Sequence, residues 1–191
     1  MGGGLMQLVA YGAQDIYLTG NPQITFFKIV YRRHTNFSME AIEQTFNSNV
    51  EFGTKLTSKI SRKGDLIHKM YLQADISQIT GGNGNLWWTN GLGHSIIKSV
   101  ELEIGGTTIE KHYGEWLDIW NELTVKGEHR DSYDKMIGNF NSTTGLKHNN
   151  NSSTKRYYIP FQFWFCRNPG LALPIIALQC HEVKIHIEFQ S

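Results

Sequence analysis

Apolar and polar residues alternate along much of this chain with a period of two, the mark of strands buried on one face. From Lys55 to Ser61 the residues Leu56, Ser58 and Ile60 oppose Lys55, Thr57 and Lys59, and a similar run extends from Asp65 to Ile76 after Lys63-Gly64. The two runs read as paired strands. The clearest hairpin joins Ile97 to Ile104 with Thr107 to His112, because the intervening Gly105-Gly106 suits a two-residue turn that fixes the register. Ile24 to Tyr31 is β-branched and aromatic and reads as strand. Phe37 to Phe46 is also read as strand, although Met39 to Gln44 would tolerate helix. Tyr157 to Phe165 and Glu182 to Phe189 complete the set, with Pro169-Gly170 and Pro174 interrupting the chain between them.

The period changes at Gly114 to Val125, where Trp116, Leu117, Trp120 and Leu123 recur at three and four. This predicts an amphipathic helix with a core-facing stripe, and Asp131 to Ile137 predicts a second short one. Gly81 to Asn85 and Asn139 to Thr154 are loops by composition, with Gly81 to Trp88 and Asn139 to Thr154 as candidate projecting loops. Residues 1–23 combine Gly2, Gly3 and Gly4 with the apolar Leu5, Leu8 and Tyr11 and close on the turn Thr19-Gly20-Asn21-Pro22. These six residues form a candidate assembly arm, leaving residues 24–191 as one domain. About eight short strands without βαβ alternation predict an all-β, antiparallel sandwich with a short helical insertion, of which the jelly roll is the common version at this length.

Composition narrows the function classes. The 191 residues are 40% hydrophobic and 12% aromatic, enough for a real core, and a net charge of +1 offers no field for polyanions, so direct nucleic-acid binding is not expected. Cys166 and Cys180 lack metal-site spacing and are expected as buried free thiols, a single bridge being the alternative. The longest apolar run, Leu171 to Leu178, contains Pro174 and falls far short of the roughly 20 residues that span a bilayer. Neither a signal peptide nor a myristoylation pattern opens the chain, so synthesis and assembly in cytoplasm are expected.

No catalytic, cofactor or metal site is predicted. His181, Glu182 and His186 approach a zinc-protease motif, but the histidines are five apart and would leave a strand on opposite faces. A cupin-like metal site needs a His-x-His pair, and none of the 8 histidines has another two residues away. Trp87-Trp88 could stack on sugar rings, which keeps a carbohydrate-binding module as the alternative function. Glycosylation sequons begin at Asn36, Asn141, Asn150 and Asn151, the last three in the polar loop.

The stretch from Gly12 to Lys28, with Val30-Tyr31-Arg32-Arg33-His34-Thr35-Asn36-Phe37, resembles the N-terminus of nucleocytoplasmic large DNA virus major capsid proteins of the chlorovirus and mimivirus kind. The likeness continues through Ile60 to Ile67, Val100 to Gly106, Lys111-His112-Tyr113, Pro169 to Gln179 and His181 to Lys184. It implies a double jelly-roll subunit that trimerises into capsomers of an icosahedral shell, with minor capsid proteins as further partners and an internal membrane nearby. Members of that family are roughly twice as long, so the chain corresponds to the first jelly roll with the second absent. The resemblance therefore implies a structural virion protein that is not an enzyme and takes no cofactor.

Overall fold

The computed structural model describes residues 36–77, 88–139 and 154–191. The chain divides into two units, Met1–Ala41 and Ile42–Ser191, and every element below belongs to the second. In order these are β1 (Lys55–Lys59), β2 (Leu66–Ile67), β3 (Tyr71–Ile76), α1 (Leu92–Ser95), β4 (Ile97–Ile104), β5 (Thr107–Tyr113), α2 (Gly114–Thr124), α3 (Gly127–Ile137), β6 (Lys155–Pro160), α4 (Trp164–Arg167), a 3-10 turn (Pro169–Leu171), β7 (Leu173–Pro174) and β8 (Val183–Phe189).

The main sheet has the order β1-β8-β4-β5, and β2-β7 and β3-β6 form two ribbons. Every described ladder is antiparallel. Because side chains alternate across a strand, the register sorts the main sheet into two faces. Leu56, Ile187, Val100 and His112 form one inward row, and Ser58, Ile185, Leu102 and Glu110 form the next. Leu72 of β3, Tyr157 and Ile159 of β6 and Leu173 of β7 join the apolar members of these rows in one buried cluster. Main sheet and ribbons thus enclose a single core, as a jelly-roll sandwich requires, with each fully buried aliphatic or aromatic side chain contributing about 1.5–3 kcal/mol.

Gly105 and Gly106 take φ of 60° and 86°, the positive values that a type I′ turn demands at both central residues, so the predicted hairpin forms with Ile104 opposite Thr107. Ile109 is left without an opposite residue where the register shifts, a bulge in the edge strand β5. At Gly114 the chain turns from β5 into α2 under tighter restraint. A Cβ there would lie 2.4 Å from the carbonyl oxygen of Ile97 and 2.5 Å from that of His94, so only glycine fits.

Several expectations need correction. The runs around β1 and β2–β3 do not pair with each other; β1 pairs with β8, β2 with β7 and β3 with β6, because distant apolar strands complete the sandwich better than the local Lys63-Gly64 turn closes a hairpin. Residues 36–46 form no strand. The Gln44 side chain accepts from the Ser61 amide, Ser58 Oγ donates to the Thr45 carbonyl and Asn47 N–H to that of Thr57, so residues 44–47 guard the β1 edge by irregular bonds. Tyr157 to Phe165 is not one strand, since β6 ends at Pro160 and the chain turns into α4. Leu123, predicted to face the core, is 77% exposed while Leu117 is fully buried, because the two lie six residues apart and so on different faces of α2. The predicted helical insertion forms as two helices of 11 residues each, the second starting four residues earlier than expected. Ile24 to Tyr31 and the Gly81 to Asn85 loop lie outside the described residues, as does nearly all of Asn139 to Thr154.

Candidate assembly surface and buried polar clusters

The outward face of the main sheet is a charged grid. Glu101 on β4 lies between Lys111 at 2.7 Å and Lys55 at 2.9 Å, and those two cations hold its carboxyl below the usual range. His186 on β8 lies 2.9 Å from Glu103 through Nε2 and 2.8 Å from Thr57 through Nδ1. The His186 bond first, and then the field of Lys184, lower the Glu103 carboxyl. Lys59 bonds Glu182, and Lys98 lies 2.6 Å from Glu188. Each of the four glutamates thus has a cationic or imidazole partner, which leaves a nearly self-neutralised surface with little net field. Exposed apolar side chains also occur on the surface: Ile109 and Tyr113 on the edge strand β5, Ile119 and Leu123 on α2, Leu66 on β2 and Ile176 just after β7. Side chains of this kind are what a neighbouring protein would cover.

Two polar clusters hold the helical insertion, one among the helices and one against the sheet. In the first, His94 of α1 is fully buried, with Nδ1 bonded to Asp118 of α2 and Nε2 3.2 Å from the Tyr133 hydroxyl of α3. A carboxylate only accepts, so the Nδ1–H donates to Asp118, and Nε2 and the Tyr133 hydroxyl form the second bond. Burial pushes the Tyr133 phenol up, and it keeps its proton.

The second cluster occupies the β5 margin of the inward face. His112 Nε2 lies 2.7 Å from Glu110, whose other oxygen accepts the Trp164 amide at 3.1 Å, and Arg167 stands 3.6 Å away. The His112 ring stacks on Trp116 at 4.2 Å and on Phe163 at 5.2 Å. Arg167 lies over Trp120 at 4.4 Å and Trp116 at 5.5 Å. This arrangement ties β5, α2 and α4 together through one aromatic stack.

These positions answer the chemical alternatives. His181 precedes β8, His186 faces the grid, and Glu182 is engaged by Lys59, so the three do not converge. Among the described residues no group of three His, Cys, Asp or Glu side chains could hold a metal. Trp88 packs against the core, and the Trp116 and Trp120 rings already lie beneath a guanidinium, so neither offers a free platform for a sugar. Trp87 lies outside the described residues. Cys166 is half-buried, and burial raises its thiol to about 11. Cys180 is exposed, contrary to expectation, because it falls in the turns before β8 and not on an inward row. No described helix is long and apolar enough to cross a membrane.

The model of the major capsid protein N-terminus matches residues 25–191. The chain belongs to that family. A major capsid protein of Pyramimonas orientalis virus is 61% identical over 99% of this chain and 47% of its own length. That of Paramecium bursaria Chlorella virus 1 is 48% identical over 100% of this chain and 41% of its own. Among solved structures, a chain of the PBCV-1 virus capsid superposes with a TM-score of 0.72 at 42% identity, covering 87% of this chain and 38% of that one. The chain therefore spans less than half the length of these capsid relatives. The Faustovirus major capsid protein, at 11% identity and a TM-score of 0.52, shares the fold.

The capsid match covers both polar clusters and the charged grid. The arm residues Gly2, Gly3, Gly4, Leu5, Leu8 and Tyr11, like the sequons at Asn141, Asn150 and Asn151, lie outside the described residues, whereas Asn36 is exposed. Sequence reasoning passed over the His94 and His112 clusters. No apolar alternation in β5 marks Glu110 and His112 as inward-facing, so the sequence carried no local signal for that cluster.

Proposed function

We propose that this chain is a structural unit of a virion shell, which associates with copies of itself into the capsomers of an icosahedral large DNA virus. The observation that carries the reading is the family match over residues 25–191, joined by 61% identity to a major capsid protein. The sandwich supports it physically. Its core is closed, its outward sheet face is neutralised pair by pair, and apolar side chains stand exposed on the surface, so close packing of copies meets little electrostatic resistance.

In this reading residues 1–23 are an arm laid on neighbouring subunits and residues 24–191 one jelly-roll domain. Minor capsid proteins are further partners, an internal membrane lies near, and assembly takes place in the host cytoplasm. The role is structural and calls on no catalytic residue. Light scattering across a concentration series tests the self-association directly. A discrete trimer or larger ring supports it, and a monomer at every concentration contradicts self-association through this module.

A further inference from the structure

His112 is a buried titratable group that shell-building does not require, and its bonding is incomplete. The residue is 5% exposed, and its Nδ1 has no hydrogen-bond partner among the described residues. Nε2 faces the Glu110 carboxylate, which only accepts, so the neutral ring carries its proton on Nε2. A second proton from solvent must therefore enter at the buried, unpartnered Nδ1 of a ring whose faces are stacked on Trp116 and Phe163.

We propose that His112 is an acid-sensitive latch between the main sheet and the helical insertion: protonation at Nδ1 unstacks the imidazole from Trp116 and loosens α2 from the β5 margin. The new N–H finds an acceptor only in water, and water reaches it only when the ring or α2 moves.

The surroundings fix the direction of the response. From β5, Glu110 favours the cation, but that carboxylate is shared with the Trp164 amide and with Arg167. From α4, Arg167 opposes it, and the Cys166 thiol, raised to about 11, stays neutral. α2 presents Trp116, the segment before α4 presents Phe163, and β4 places Val100 opposite in the register. Burial outweighs Glu110, and the imidazole is held below its usual value. The latch is thus closed at neutral pH and opens in acid, with a midpoint under the ordinary histidine value of about 6.5.

The test is a ring-proton NMR titration of the full chain, run beside amide hydrogen exchange from about pH 7.5 to about pH 5. His112 is expected to titrate below its ordinary value. As it does so, protection of the α2 amides falls by up to about tenfold per pH unit, while β8 stays protected. H112F keeps an aromatic ring in the stack and should abolish the fall. R167Q removes the opposing cation and should move the midpoint upward. An ordinary midpoint with unchanged α2 protection, a fall that persists in H112F, or an unmoved midpoint in R167Q would each overturn the latch. Should H112F not fold, the wild-type titration and R167Q still decide.

Discussion

His94 and His112 are both buried, and both set one ring nitrogen against a carboxylate, yet they differ at the other nitrogen. His94 meets the Tyr133 hydroxyl there, whereas the His112 Nδ1 is buried with no hydrogen-bond partner among the described residues. The difference follows from position. His94 sits where α1, α2 and α3 converge, and each helix offers a polar group or a wall. His112 sits on the inward face of a β-sheet, where its strand neighbours are chosen for an apolar core. An imidazole satisfied on both sides acts as a fixed fastening, and one satisfied on a single side makes its contact conditional on protonation.

The sharpest way to break the comparison is His94→Ala. It removes a buried ring, the Asp118 bond and the Tyr133 bond together, and should cost about 3 kcal/mol in urea unfolding. A loss below about 1 kcal/mol would mean that the insertion is held elsewhere. Gly114→Ala should follow at about 2 kcal/mol, since the added methyl must push apart the His94 and Ile97 carbonyls.

The pH dependence of stability separates the two histidines further. His112 has a lowered folded value, so the unfolded chain binds its proton first as pH falls below about 6.5. Stability present above that point is therefore lost as pH descends toward the folded value, and H112F should flatten this part of the curve. The smallest effect belongs to Lys59→Ala. Its pair with Glu182 has both side chains about half exposed and screened by solvent, and thermal unfolding should register no resolvable change.

What the sequence revealed depended on how local the cause was. The β4–β5 hairpin was legible because Gly105-Gly106 and the alternating strands lie within one short stretch, and α2 because its period shifts to three and four at Trp116, Leu117 and Trp120. The partners of β1, β2 and β3 were hidden because each lies 79 residues or more away, as in Ile76 opposite Lys155, and alternation specifies a face but no partner. α1 and α4 have 4 residues each, too few to show a helical period. Leu123 is exposed while the polar Asn121 is buried in the same turn of α2, an inversion that hydropathy does not show. Of the candidate sites, family membership was readable in residue identity, while the His94 and His112 clusters depended on distant chain segments meeting.

The measurement that bears most directly on the shell role is quantitative mass spectrometry of purified particles of the virus that encodes this chain. The account predicts peptides of residues 36–191 from one of the most abundant virion polypeptides, in large excess over any enzyme the particle carries. Their absence, or presence only at trace level, would contradict it.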